Sequence, residues 1–207
     1  MSNWKLSKST LEKLKVASFE LPKDCFEYLK TIIYVNRKKY NHQLYGHIKE
    51  EYMLPQLSDS FYNFILQDCF DNPFIKEHAS KLDFLSKDRA FCVGDVWVNF
   101  QKKYEFNPPH NHKGVFSFVI FVNIPYDLKE EENFFKTNAK PQYNSTSKFS
   151  FLNTEIDGSI VSTCLDVDKS FEGKMIMFPA KQLHEVFPFY TTDDYRITIS
   201  GNILLNG

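Results

Sequence analysis

The segment from Val115 to Ile124 limits what this chain can fold into more than any other. It reads V-F-S-F-V-I-F-V-N-I, nearly continuous and apolar. Such a run is expected as a strand covered on both faces rather than as a half-exposed one. No window of about 18 apolar residues occurs anywhere, so no membrane span is expected.

Other strands follow the same texture from about Phe91 onward. Val93 to Gln101 is rich in β-branched and aromatic residues. Lys148–Leu152 and Ile160–Leu165 flank a turn at Asp157-Gly158, which predicts a hairpin. Met175–Phe178 reads as a short buried strand stopped by Pro179, and Tyr195–Leu204 alternates in part. Before residue 90 the pattern is helical. A helix is expected over Leu21–Tyr34, with Pro22 in its first turn and Phe26, Leu29 and Ile33 on one stripe. A second is expected over Ser58–Phe70, with Ser58 as N-cap and Asp71-Asn72-Pro73 as its stop. Asn41–His47 reads as an irregular loop, and Pro125–Ser147, with Glu130-Glu131-Glu132, as a long polar one.

Helices first and strands afterwards, with no strand–helix alternation, argue against a doubly wound parallel sheet. The expected fold class is mainly β (α+β): a jelly roll of about eight antiparallel strands with an N-terminal helical segment. A single domain over residues 1–207 is expected, helical to about residue 90 and jelly roll over 91–205. Twenty-one Phe and 11 Tyr suit a thick β-rich core.

Composition excludes several function classes. Lys+Arg is 25 against Asp+Glu 26, so the net charge is -1 and no nucleic-acid partner is expected. Gly is only 7, and neither G-x-G-x-x-G nor G-K-[ST] occurs. The four cysteines, Cys25, Cys69, Cys92 and Cys164, form no C-x-x-C pair, which points to a reducing compartment. Lysines interrupt Met1–Phe19, so no signal peptide is expected there and the default is cytoplasmic.

Chemistry concentrates on histidine. His110 and His112 form an H-x-H after Pro108-Pro109, and in an extended chain residues i and i+2 share a face. Two imidazoles on one face fit adjacent positions on one metal; alone, the pair reads more readily as two solvated histidines in a polar loop. His184 follows a buried strand and a turn at Pro179, and is a candidate third ligand 72 residues beyond His112. Arg196 lies 12 residues beyond His184 amid apolar strand residues. If it points inward it needs a partner, and a guanidinium grips a carboxylate bidentately. Thr198 lies on the same face and would add a hydroxyl. The other reading leaves Arg196 in solvent or paired with Asp193 or Asp194.

This order of H-x-H, apolar strand, distant His and then Arg resembles the non-haem Fe(II)/2-oxoglutarate-dependent oxygenases. The nearest group is the prolyl-hydroxylase-like oxygenases of tailed phages and marine bacteria. The matching stretches are GDVWVNFQKKYEFNPPHNHKGVFSFVIFVNIP and FEGKMIMFPAKQLHEVFPFYTTDDYRITISGNI, with LYGHIKEEYML also similar. The resemblance spans roughly residues 40 to 205. It implies a double-stranded β-helix, Fe(II) as metal, 2-oxoglutarate as cosubstrate and O2 as oxidant. It makes His110 and His184 metal ligands, and it makes Arg196 the residue for the distal carboxylate of 2-oxoglutarate, assisted by Thr198. At position 112 the family's usual carboxylate is replaced by His, so the metal set is His110, His112 and His184. Asn99 and Gln101 are weaker candidates for cosubstrate contacts. The implied substrate is a peptide or protein side chain, or a small metabolite, with Pro125–Ser147 and Asn41–Tyr52 as lids. A phage-encoded protein would work in its host's cytoplasm.

Two alternatives stand beside this reading. Gly173 to His184 nearly matches the second cupin motif, but Lys113 to Ile120, just after the H-x-H, contains no Glu, and a cupin gives no role to Arg196. A non-catalytic binding module would use the pocket alone. H-N-H is not read as a nuclease signature, because no basic context surrounds it.

Overall fold

The computed structural model describes residue 14 and residues 16–82, 90–134 and 144–206. Eleven strands among them form two antiparallel sheets. The larger holds β1 (Ala17–Glu20), β2 (Lys38–Lys39), β3 (Glu50–Met53), β4 (Phe91–Gln101), β6 (Phe116–Asn123), β9 (Lys174–Pro179) and β11 (Arg196–Leu205), in the order β1-β9-β6-β11-β4-β3-β2. The smaller holds β5 (Asn107–His110), β7 (Phe149–Thr154), β8 (Ile160–Leu165) and β10 (His184–Val186), in the order β5-β10-β7-β8. From β4 onward the chain crosses between the sheets at every step except the β7–β8 hairpin, which is the jelly-roll arrangement expected.

Strand β6 sits inside the large sheet, between β9 and β11. Phe116, Phe118, Ile120 and Val122 face one core, packed under helices, while Val119 and Phe121 face a second core between the sheets. The continuous apolar run therefore has the reason anticipated: each face of the strand meets its own layer. The same alternation divides the neighbours. Val96, Val98 and Phe100 of β4 and Ile197, Ile199 and Ile203 of β11 face the helices.

The helical layer comprises α1 (Lys23–Ile32), α2 (Asp59–Asn63) and α3 (Pro73–Ser80). α1 contributes Cys25 and Leu29, α2 contributes Phe61, and α3 contributes Ile75. Ser58 caps α2 by accepting the N–H of Phe61 at 3.3 Å. Beyond Asn63 the chain continues as a π turn (Phe64–Asp68) and a 3-10 turn (Cys69–Asp71), so the expected helix to Phe70 is present but changes its winding. Asn72-Pro73, expected only as a stop, also starts α3: the Asn72 side chain accepts the N–H of Phe74 at 2.9 Å, with Pro73 in the first turn.

The expectation of a helical first ninety residues is corrected here. β1, β2 and β3 extend the large sheet at both edges, so this part is mixed. Short strands such as Lys38–Lys39 and E-E-Y-M carry little apolar periodicity; β3 pairs with β4, and β2 pairs in turn with β3. Asn41–Gln43 is a 3-10 turn within the expected loop. The Pro125–Ser147 segment holds a short helix, α4 (Leu128–Phe134); residues 135–143 lie outside the described residues, as do 1–13. Buried Glu131 of α4 accepts the N–H groups of Tyr190 and Thr191 at 3.0 and 2.8 Å, fixing the chain between β10 and β11. No helix among the described residues is long and apolar enough to cross a membrane.

Phe118 is fully buried, lies 6.2 Å from the Phe61 ring and closes over Gly201. Phe118→Ala should cost about 3–5 kcal/mol of stability. Urea unfolding should show a lower midpoint with an unchanged slope.

Candidate metal and cosubstrate site

Strand pairing brings the histidines together. β5 and β10 are antiparallel neighbours, and His184 lies directly opposite His110. Both side chains therefore project from the same face. His112 follows two residues after β5 ends. Its N–H donates to the Ala180 carbonyl at 2.8 Å, tying the loop to the end of β9. The loop then turns through Gly114 at φ 95°. A Cβ there would sit 2.5 Å from the Ile203 carbonyl oxygen, so only glycine allows this turn into β6.

The ring centroids of His110 and His184 are 4.3 Å apart, and His112 lies 4.9 and 5.0 Å from them. One ring nitrogen from each falls within 4.8 Å of the other two. His110 Nδ1 is 2.7 Å from the Pro108 carbonyl oxygen, and His184 Nδ1 is 3.0 Å from that of Gln182. A carbonyl only accepts, so Nδ1 carries the proton in each ring and Nε2 keeps its lone pair. His184 stacks on Phe149 at 5.5 Å and meets Phe178 edge-on at 4.8 Å, which holds its ring plane.

Burial drives all three imidazoles toward the neutral form. It lowers His110; it lowers His112, with help from His110, to about 3; and it lowers His184 well below the usual value, with both neighbours adding. Three neutral nitrogen donors that stay unprotonated at physiological pH form a ligand set suited to a divalent first-row metal.

The histidines line a cavity of about 820 Å3 between the sheets. Alternation along β4 sends Asp95, Trp97, Asn99 and Gln101 to its wall, and alternation along β11 sends Arg196, Thr198, Ser200 and Asn202. Arg196 points inward and is 3 % exposed, which excludes the solvent-facing reading. Its Nε and Nη2 donate to Gln101 Oε1 at 3.0 and 2.8 Å. Nη1 donates to the Tyr126 hydroxyl at 3.1 Å and the Ser147 carbonyl at 2.8 Å; Nη2 also donates to the Phe187 carbonyl at 2.7 Å. All five donor positions end on uncharged acceptors. Ser147 holds a left-handed backbone, φ 61°, while aiming its carbonyl at this guanidinium. Thr198 Oγ1 accepts from Asn99 Nδ2 at 3.1 Å, leaving its own O–H to donate.

All five residues singled out from the sequence thus line one cavity, as do Asn99 and Gln101. His42 also reaches it, whereas His47 bridges to Phe106 and His78 lies against Phe116. Sequence reasoning missed Glu51, Tyr126 and Ser147. Only the in–out alternation of Glu50 and Glu51 in β3 could have marked the first.

Residues 95–202 match the model of the family described as "Putative 2OG-Fe(II) oxygenase". The chain belongs to that family. The family implies Fe(II), 2-oxoglutarate and O2, and the three neutral imidazoles fit the metal. No curated protein matches by sequence. Among solved structures, a Pseudomonas putida prolyl-4-hydroxylase superposes with a TM-score of 0.56 at 13% identity, covering 96% of this chain and 97% of that one. A Burkholderia pseudomallei oxidoreductase of the 2OG-Fe(II) oxygenase family gives 0.52 at 11% identity, covering 98% and 91%. At such identities the likeness shows the fold alone, and it covers both chains almost end to end.

The histidine environment sets an acid limit on stability. Each folded-state pKa lies below the usual 6.5, so between these values the unfolded chain binds more protons than the folded one. The contribution to stability is present above pH 6.5 and is lost as pH falls toward the folded values. The metal-free protein should therefore melt at lower temperature from about pH 6.5 downward. His112→Asn should flatten that slope between pH 6.5 and 5.

Proposed function

We propose that the protein is an Fe(II)- and 2-oxoglutarate-dependent dioxygenase that hydroxylates a C–H bond of a peptide or protein side chain, or of a small metabolite. The observation that carries this reading is that three neutral imidazoles and a buried guanidinium, with no charged partner in contact among the described residues, line one cavity. When bound, Fe(II) and 2-oxoglutarate supply the activation of O2 and the oxidation of the C–H bond.

His110, His112 and His184 hold the metal through neutral nitrogen. The carbonyls of Pro108 and Gln182 orient His110 and His184 by accepting from Nδ1, the usual outer support of a metal-bound imidazole. Arg196 offers its Nε and Nη2 edge to the distal carboxylate of 2-oxoglutarate, a place that Gln101 Oε1 holds in this structure. Thr198 adds its free O–H. Val119, Phe121 and Phe149 keep that part of the cavity wall apolar.

A second reading, a cupin-like metal protein that does not use 2-oxoglutarate, is favoured by one feature: the ligand set lacks a carboxylate. Anaerobic titration with Fe(II) and 2-oxoglutarate separates the two. The oxygenase reading expects a weak visible charge-transfer band and iron-dependent consumption of 2-oxoglutarate; absence of both supports the cupin-like reading. His110→Ala and His184→Ala should each lose bound iron, and His112→Asp should keep it.

Arg196→Ala should leave iron bound and raise the 2-oxoglutarate requirement by roughly 30-fold or more, the consequence of about 2–5 kcal/mol for a truncated charge pair. Arg196→Lys should recover only part, because the planar fork is lost. An unchanged requirement in Arg196→Ala would remove Arg196 from the cosubstrate.

A further inference from the structure

One side of the cavity has acceptors in excess. Glu51 on β3 is 1 % exposed and lies opposite Asn99 of β4, so both side chains share the cavity face. The Glu51 carboxylate takes the Asn41 amide at 3.0 Å, and among the described residues no cation forms an ion pair with it. Lys39 acts on it only from a distance and donates instead to the Lys49 carbonyl. Asn99 is 4 % exposed; its amide nitrogen serves Thr198 and Ser200, while its Oδ1 has no donor. Asn107 Oδ1, also on the cavity wall, has none either. The Asn107 oxygen and Glu51 Oε1 converge above Gly46, where a Cβ would come within 2.5 and 2.8 Å of them.

Buried acceptors left without donors carry a desolvation cost that a ligand rich in N–H groups removes. Aromatic rings stand on the same side. Tyr40 and Trp97 lie 6.2 Å apart, and Tyr40 donates its hydroxyl to Asp95 at 2.6 Å, at the exposed rim. Tyr45 packs 5.8 Å from His110, linking this side to the histidines. The lining lysines, Lys113 and Lys181, are exposed and flank His112 instead.

We propose that this wall is a subsite for a nitrogen-centred cation, an ammonium or guanidinium group, on the molecule that the site acts upon. Glu51 and the Asn99 and Asn107 oxygens receive its N–H groups, Asp95 draws it in at the rim, and Tyr40 and Trp97 offer ring faces. Burial already holds the Glu51 carboxyl up at about 7, and an arriving cation favours its ionised form. The proposal deepens the oxygenase reading and rests on it only in taking this cavity as the substrate chamber.

The test uses metal-free protein carrying Trp4→Phe, so that Trp97 alone reports by fluorescence. The probes are n-butylammonium, n-butylguanidinium, neutral 1-pentanol and anionic valerate. Saturable quenching by the two cations, at a Kd about tenfold or more below that of the neutral and anionic probes, is expected. Glu51→Gln should raise the cation Kd about tenfold and exposed Asp95→Asn by about threefold, with 1-pentanol unaffected. Equal affinity across the charge series, or an unchanged cation Kd in Glu51→Gln, overturns the proposal. If Glu51→Gln does not fold, the charge preference of the Trp4→Phe protein decides alone. Iron-dependent 2-oxoglutarate consumption without cation preference would sink only this inference; cation preference without that consumption would sink only the oxygenase reading.

Discussion

Arg196 carries a permanent charge into the interior, where it is 3 % exposed, and everything around it is arranged to make that tolerable. Isolated ions are costly to bury, and the usual remedy is a carboxylate. Here the remedy is five bonds to neutral acceptors drawn from four places in the chain: Gln101 on β4, Tyr126 after β6, Ser147 before β7 and Phe187 after β10. The guanidinium is thus a knot between the two sheets. Among the described residues it forms no ion pair on the cavity wall, which is the electrostatic condition for admitting an anion.

The histidine cluster follows a different logic. Its geometry comes from a single cross-strand pair, His110 opposite His184, with His112 brought in by a loop hooked onto Ala180. Its electrostatics come from burial, which keeps all three rings neutral. A neutral donor set leaves the whole charge of a divalent metal to be balanced by whatever else enters the cavity. The buried Glu51 carboxylate and dianionic 2-oxoglutarate are both of the right sign.

Much of this was legible in the sequence because it rests on periodicity. The run Val115–Ile124 announced a strand buried on both sides, and two separate cores prove to be the cause. The histidine and arginine positions were legible because a charged or metal-binding residue next to an apolar strand has few structural uses. What was not legible depends on pairing across the chain. β3 owes its conformation to β4 and the edge strand β2 to β3, and β5, which includes Pro108 and Pro109, owes its own to β10. Glu51 had only the alternation with Glu50 to mark it, and its inward direction is decided by register with Asn99. The Ser147 carbonyl lies at the end of a polar stretch whose sequence says nothing about where its backbone points.

The alternation along β4 and β11 has a further consequence. Asp95, Trp97, Asn99 and Gln101, with Thr198, Ser200 and Asn202, face only the chamber, while their immediate neighbours Val96, Val98, Phe100, Ile197 and Ile199 face only the helices. The sheet is a partition whose two surfaces are written in interleaved letters of the same two strands. Descent with modification can therefore repaint the chamber one letter at a time without disturbing the packing behind it. Relatives with this framework are free to diverge in what they admit long before they diverge in how they fold.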